Sequence, residues 1–583
     1  MKIHNLQNIK FTTKTENSIS EEKIELIQGG EISTYLLKIT FKSEIEPKPF
    51  SLVWEEEQID MLGFWSPRAY FANNLTPEWN MRTEKSKTAS GAPIIAIYNK
   101  ADENKITVAL SDPKNPSALR AGVVEETGRI KFEVVLFDMP TSKMKEYEVI
   151  VRVDKRKIPF TKSVEAVAKW WEEIGYKRAY VPKSTKKPLY STWYGFHQHT
   201  IPDEIIKECK IAKEYGMDTV IVDDGWQTDD NSRGYAFCGD WRVSKGKIPD
   251  MKDFVDRIHA LGMKFMIWFS VPYVGFESEN YERFKGMYLS TRKHMNAMVL
   301  DPRFKEVREF LIDTYEKYVR EYGWDGLKLD FIDSFTLSEE SSKDYDKMDT
   351  ISVEEGVERL LCEAHQRLTK INPEFMIEYR QSYVGPVVSQ YCNMFRVLDC
   401  PSDAILNRAY SLGLRLTSGN TAVHSDMLMW NKNDTPEGVM YQLLGIMFAV
   451  PQISVRFDNI TSEHKRLLKA FLSFWREHSE ILLDGELELK GIDASFTMAK
   501  STKDGHSVAV LYQNEAYVVE NEVETNLFNS SGKDNVYIEL LEDKVYEIFD
   551  IYGEKCESGI LQAGVHKLLV KNCQRVRFTK TQK

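Results

Sequence analysis

The sequence is poor in the features that mark secreted, membrane-spanning or nucleic-acid-binding chains. Its seven cysteines (Cys209, Cys238, Cys362, Cys392, Cys400, Cys556 and Cys573) are odd in number, scattered and never spaced as CxxC. That pattern argues against a disulfide framework and a zinc site, and for reduced thiols. The opening stretch MKIHNLQNIKFTTKTENSIS has no apolar run of signal-peptide length. Nothing downstream reaches the roughly 18 apolar residues that span a bilayer. Lys/Arg blocks are missing too, and a formal charge of -11 disfavours a phosphate backbone as partner. The expectation is a cytoplasmic protein with neither a membrane nor a nucleic acid as partner. Low-complexity segments and repeats beyond a βα rhythm are also absent.

What the chain does have is length. Its 583 residues exceed one ordinary core and call for several domains, a large barrel being allowed among them. From about residue 8 to 160, short runs such as STYLLKITF, ITVALS and KFEVVLF alternate apolar and polar positions between Asn, Asp, Gly and Pro. This reads as an N-terminal β-sandwich, residues 1–160. SVEAVAKWWEEIGYK has helical periodicity and is read as a linker helix within 161–184.

Beyond it, short apolar strands alternate with amphipathic helices, the pattern of βα units around a parallel sheet. Eight strand candidates (PLYSTWYGF, DTVIVDDGW, KFMIWFSV, DGLKLDF, EFMIEYR, MFRVLD, LRLTSGNTAVHS and QISVRF) predict a (β/α)8 TIM barrel over 185–484. Alternating strands return in SVAVLYQ, NVYIELL and KLLVKN, so 485–583 reads as a small C-terminal β-sandwich. The fold class is thus multidomain, with a barrel between two β domains.

In such a barrel, functional groups sit at the C-terminal ends of the strands. The first strand ends in Trp193 and Tyr194, the second in Asp223, Asp224 and Trp226, and the third in Trp268. The fourth ends in Lys328, Asp330 and Asp333, the fifth in Glu378 and Arg380, the sixth in Arg396 and Asp399, and the seventh in His424 and Asp426. A single strand-end Asp commonly caps a helix. Five strands ending in acids together place costly carboxylates around one mouth with aromatic platforms, which is the composition of a ligand site.

Acids and rings with few metal-ligand histidines suggest glycosidic chemistry, in which two carboxylates flank the bond. Asp330 is the nucleophile candidate. Lys328 shares its strand face, and a neighbouring ammonium keeps a carboxylate ionised. Asp333 lies off that face and reads as a cap or loop residue. His197 and His199 share strand parity but lack a supporting Cys/His/Glu cluster, so no metal is expected. His424 and Asp426 lack an exposed nucleophile elbow and read as sugar-binding or structural.

The motifs VIVDDGWQ, GLKLDFID and MFRVLDCPSDAILNR, in barrel order, resemble the family 36 glycoside hydrolases, the melibiase-type α-galactosidases, and more distantly family 27 of the same clan. The resemblance implies a retaining double displacement with no cofactor and a carbohydrate substrate. Asp330 matches the family nucleophile, and Asp223 and Asp224 match the pair that grips the sugar's 4- and 6-hydroxyls. Trp226 and Lys328 match adjacent binding positions; Trp193, Trp268 and Arg396 complete the candidate substrate-binding set. For the acid/base, the sixth strand offers Asp399 and Asp403. Asp399 is preferred, because Asp403 follows Pro401 and suits a helix cap. In a retaining enzyme the two carboxyl groups lie about 5 to 5.5 Å apart.

The departure is on the fifth strand, where EYRQSYVGP replaces the family's Cys- and Gly-containing motif. Arg380 is expected to donate near the 2-substituent instead, which leaves galactose and N-acetylgalactosamine both open. The alternatives to an exo-α-galactosidase are an α-N-acetylgalactosaminidase, an α-glucosidase, a raffinose-synthase-like transferase and an inactive sugar-binding protein. The resemblance is also compatible with a homo-oligomer whose N-terminal domain shapes a neighbour's site.

Overall fold

The protein is described here from a computed structural model covering residues 1–583 apart from 7, 8, 69, 70, 72, 582 and 583. The alternating N-terminal pattern forms two six-stranded sheets in which every neighbouring pair is antiparallel. One face of each sheet is apolar, and the two bury a shared core that includes Phe11, Leu37, Trp54, Val108 and Phe132. Trp54 and Phe132 stack at 5.2 Å.

The helix Phe160–Glu173 follows. It is shorter than the 161–184 segment read as a linker, and it is no free spacer. Phe160, Val164, Val167 and Trp171 are buried in the same cluster as the barrel's helices, and the Trp171 indole donates to Leu110 O of the sandwich.

Eight parallel strands come next: Leu189–Ser191, Thr219–Val222, Lys264–Ser270, Gly326–Asp330, Met376–Arg380, Met394–Arg396, Ala422–His424 and Gln452–Ile453. Consecutive strands pair in order, the eighth pairs with the first, and a parallel bridge between His424 and Val450 nearly closes the ring. Two strand readings need correction. In PLYSTWYGF only Leu189–Ser191 is strand, and Trp193–Phe196 is a short helix. In LRLTSGNTAVHS the first half belongs to the helix Ala404–Ser418, leaving Ala422–His424 as strand.

The barrel interior is layered. Leu189, Ile221, Met266, Met376 and Met394 form an apolar plug. Nearer the strands' C-terminal ends the inward positions become Lys328, Glu378, Arg396, His424 and Gln452, all buried. After the helices Ser462–Glu477 and Ser479–Asp484, a seven-stranded and a three-stranded sheet pack around Leu511, Leu527, Ile538, Val576 and Phe578. Among the described residues no helix is long and apolar enough to cross a membrane, and all seven cysteines are free.

Candidate active site

Strand register decides which charges meet. Strands four and five pair Lys328 with Glu378, so two residues further on Arg380 comes level with Asp330. The Arg380 Nε donates to Asp330 Oδ1 at 2.7 Å, joined there by Tyr383 Oη at 3.0 Å and the Phe331 N–H at 2.8 Å. The Trp268 indole donates to Oδ2 at 3.1 Å. Asp330 is only 7% exposed. Burial alone pushes its carboxyl up, but the Arg380, Lys328 and Arg396 charges outweigh it and hold Asp330 well below the usual carboxylate range. The carboxylate is therefore ionised and held on both oxygens. Phe331, just beyond it, is a non-glycine residue at φ 65°, a costly backbone that recurs where a side chain must be aimed.

Lys328 does not pair with Asp330 directly, as its shared strand face suggested. Its ammonium lies 2.5 Å from Asp223 and acts on Asp330 through space. Asp224 accepts from the Gln198 and Gln227 amides, both at 2.7 Å. Burial, partly opposed by those amides, raises its carboxyl to about 6.

On the sixth strand Arg396 is 1% exposed: its Nη1 donates to Asp399 at 2.7 Å, Asp426 at 2.8 Å and Val397 O at 3.0 Å, while its buried Nε makes no hydrogen bond and lies 3.8 Å from Glu378. This corrects its assignment to the substrate-binding set, since a guanidinium sealed beneath the mouth acts through Asp399 and not on a ligand. The Asp399 side chain is half exposed. Its carboxyl is pushed up by burial but more strongly down by Arg396 and Arg380, and lies below its ordinary value. Asp403 accepts from the Ile405 and Leu406 N–H groups as the N-cap of Ala404–Ser418. Its oxygen is thus committed to a helix end.

Trp226 is a second correction. Gly225 takes φ +111° and turns the chain, so the Trp226 indole leaves the mouth for the layer between strands and helices. There it is 0% exposed, against Trp241, Phe269, Tyr318 and Trp324, and its N–H donates to Trp268 O. Trp268, 1% exposed, is a partner of Asp330 rather than an open platform. Trp193 does border open space, beside Asp224 and Tyr235. Asp333 sits in a short turn and accepts from Ser382 Oγ at 3.2 Å.

His424 is buried, with Nε2 2.8 Å from Thr185 O and Nδ1 3.3 Å from Gln452; burial lowers it to about 3. Asp426 is held by Arg396, Tyr194 Oη and the Cys400 N–H. Both are structural. Among the described residues no three His, Cys, Asp or Glu side chains are grouped to hold a metal.

Sequence reasoning missed Tyr383, three residues past its strand, and the loop of the N-terminal domain that fixes it. Gly91 N–H donates to Ser382 O at 2.7 Å, Thr88 N–H donates to Glu354 at 3.0 Å, and the Lys87 ammonium reaches Phe335 O and Thr336 Oγ1. Gly385 packs so closely that a Cβ there would lie 2.6 Å from Gly91 O. Nothing local in the sequence signals this contact.

The site thus consists of a parallel barrel between two β domains, with an ionised buried carboxylate and a half-exposed one at strand ends. Residues 175–382 match the model of the Melibiase family. Alpha-galactosidase Mel36A of Lactobacillus acidophilus is 31% identical over 151 residues, 24% of this chain and 19% of the relative. The bifunctional alpha-galactosidase/sucrose kinase AgaSK of Mediterraneibacter gnavus is 30% identical over 134 residues, 21% of this chain and 14% of that protein. The aligned sequence thus spans less than a fifth of these relatives' length. The solved galactosidase domain of AgaSK superposes with a TM-score of 0.67 at 13% identity, over 99% of this chain and 81% of the other. The GH36 alpha-galactosidase AgaA from Geobacillus stearothermophilus, solved with raffinose, gives 0.65 at 14% identity over 98% and 81%. At these identities the likeness is one of fold.

Proposed function

We propose that the protein is a retaining exo-α-galactosidase. The observation that carries the reading is the unequal pair: Asp330, buried and kept ionised by three cations, and Asp399, half exposed two strands further round. In this reading the 4- and 6-hydroxyls of a terminal galactose rest on Asp223 and Asp224. Asp330 attacks the anomeric carbon, the glycosidic C–O bond breaks, and the departing oxygen takes the proton from Asp399. Asp399 then removes a proton from water, which attacks the anomeric carbon and frees Asp330. The relatives' names and the AgaA complexes with raffinose and stachyose support the sugar class.

The geometry sets one demand. Arg396 favours ionised Asp399, whereas the first step needs its proton. The substrate must cover the half-exposed carboxyl, strip its water and so favour the protonated form. The experiment is hydrolysis of 4-nitrophenyl α-galactoside beside the α-N-acetylgalactosaminide and α-glucoside, by wild type and Asp330→Ala. Galactoside turnover lost on substitution supports both sugar and nucleophile. Turnover of another glycoside alone moves the specificity to Arg380 and its strand, and silence on all three refutes the hydrolase reading.

A further inference from the structure

Glu378 touches neither the nucleophile nor the sugar in the proposed reaction, yet it is 1% exposed and lies among the charges that run it. Strand register places it level with Lys328 on strand four and one inward step deeper than Arg380 and Arg396, which are level with each other. It therefore sits beneath the mouth. Its two oxygens meet two donors: Oε2 accepts from the Gln452 amide at 2.6 Å, and Oε1, without a hydrogen bond, lies 3.8 Å from the equally unbonded Arg396 Nε. Donors on both arms suit a carboxylate.

Lys328, the other cation beside Glu378, is already in contact with Asp223 at 2.5 Å. Arg396, by contrast, serves three carboxylates. Its Nη1 bonds Asp399 and Asp426, and its Nε faces Glu378. Of the three, only the Asp399 side chain reaches solvent. A negative charge fixed behind the guanidinium reduces the positive potential that the guanidinium exerts at its open end, and in a buried layer that effect is weakly screened.

The remaining neighbours do not replace Glu378 in this role. His424, level with Arg396 on strand seven, is neutral, because burial lowers it to about 3. Tyr194 and Cys400, beside Asp426, are raised by burial and neutral as well. Arg380 and Lys328 act on Asp399 in the same sense as Arg396, and Asp330 opposes them. Burial lifts the Glu378 carboxyl above its ordinary value against Lys328, Arg396 and the Gln452 amide, so its charge is present above that raised value and lost as pH falls through it.

We propose that Glu378 is a positioning residue for the acid/base: its carboxylate offsets the Arg396 charge at Asp399, so that Asp399 can hold the proton the first step requires. The inference rests on the proposed glycosidase reading and deepens it, adding a counter-charge built into the barrel to the cover that the substrate brings. The bond broken and the proton transfers are unchanged.

The test is the pH profile of kcat/KM for Glu378→Gln on two galactosides that differ in their need for an acid. Methyl α-galactoside must have its leaving oxygen protonated; 4-nitrophenyl α-galactoside releases a stable phenolate without help. Removing the charge should lower the alkaline limb for the methyl glycoside by about one pH unit, a usual scale for such shifts, and its kcat/KM at about pH 7 by about tenfold, with less than about threefold lost on the nitrophenyl glycoside. Glu378→Asp draws the same charge back by one methylene and should move the limb the same way by a few tenths of a unit; it also serves if Glu378→Gln does not fold. An unmoved limb, or equal losses on the two galactosides, would overturn the inference and leave the hydrolase reading intact. Wild type inactive on both would refute that reading and the inference together.

Discussion

Replacing Arg380 by alanine tests the electrostatics of the mouth most directly. Asp330 Oδ1 would keep Tyr383 and Phe331 as donors and Oδ2 would keep Trp268, but the nearest cation would be gone. Removing one partner of a buried ion pair costs about 3–5 kcal/mol, because the remaining charge is left uncompensated. Burial, which pushes the Asp330 carboxyl up, would then be opposed by the Lys328 and Arg396 charges and the remaining donors, the Trp268 indole among them, but no longer by its largest lowering cause, Arg380. The sign follows. A carboxyl depressed in the folded state contributes stability that is present above its unfolded value and is lost as pH falls through the folded value. In wild type that loss falls well below the usual carboxylate range. In Arg380→Ala both the loss of stability and the acid limb of kcat/KM should move upward, towards pH values where wild type is flat. At neutral pH, loss of a charge-assisted bond worth about 1.5–3 kcal/mol should slow the reaction roughly ten- to 150-fold. The assays are urea unfolding and aryl galactoside hydrolysis from about pH 3 to 8, spanning the carboxylate and histidine ranges. Arg380→Lys keeps the charge and should hold the limb near its wild-type position. An Arg380→Ala protein with unchanged limb and unchanged unfolding free energy would refute the argument.

Tyr383→Phe keeps the ring and removes one donor to Asp330. Because the carboxylate is the leaving group of the second step, that step should slow more: kcat falls about tenfold or more, kcat/KM falls less, and the glycosyl-enzyme accumulates in a pre-steady-state burst. Asp399→Ala should lose most activity towards substrates with poor leaving groups and recover turnover of activated ones when azide is added. Asp403→Ala should instead cost about 1 kcal/mol of stability as a lost N-cap, with rates intact; the reverse pattern would exchange the two roles. Trp226→Ala should lower stability by about 3–5 kcal/mol, as a large indole leaves a packed layer, with little change in KM for the folded fraction.

The barrel and the carboxylates at its strand ends were legible because they follow from period and position. Inward residues alternate by two, and the chemistry collects where strands end. The failures share a physical cause, namely that burial on several sides erases the pattern used to read it. Leu412, Leu414 and Leu416 alternate like a strand, yet the helix that holds them is enclosed on most of its faces, with Ser411, Thr417 and Ser418 buried as well. Trp226 sits in the same motif as Asp223 and Asp224, but a left-handed glycine sends it to the opposite side of the sheet. Arg396 was placed on the correct strand; what sequence spacing does not contain is Asp426, 30 residues on, completing its burial. The Arg380–Asp330 pair needs the relative register of two strands 50 residues apart.

The contact between Gly91 and Ser382 has a consequence for modularity. The loop bearing Tyr383 is stitched to the N-terminal sandwich through Gly91, while Lys87 holds Phe335 and Thr336 after the fourth strand and Thr88 holds Glu354. Excising the barrel as a stand-alone catalyst would leave those backbone and carboxylate partners open, and the nucleophile's support would lose its anchor. Grafting a different sandwich would succeed only with a glycine in the same left-handed pose, because a Cβ on Gly91 would lie 2.2 Å from Lys85 O. The two domains are therefore one unit of inheritance, and recombination between related chains should be tolerated at boundaries other than this seam.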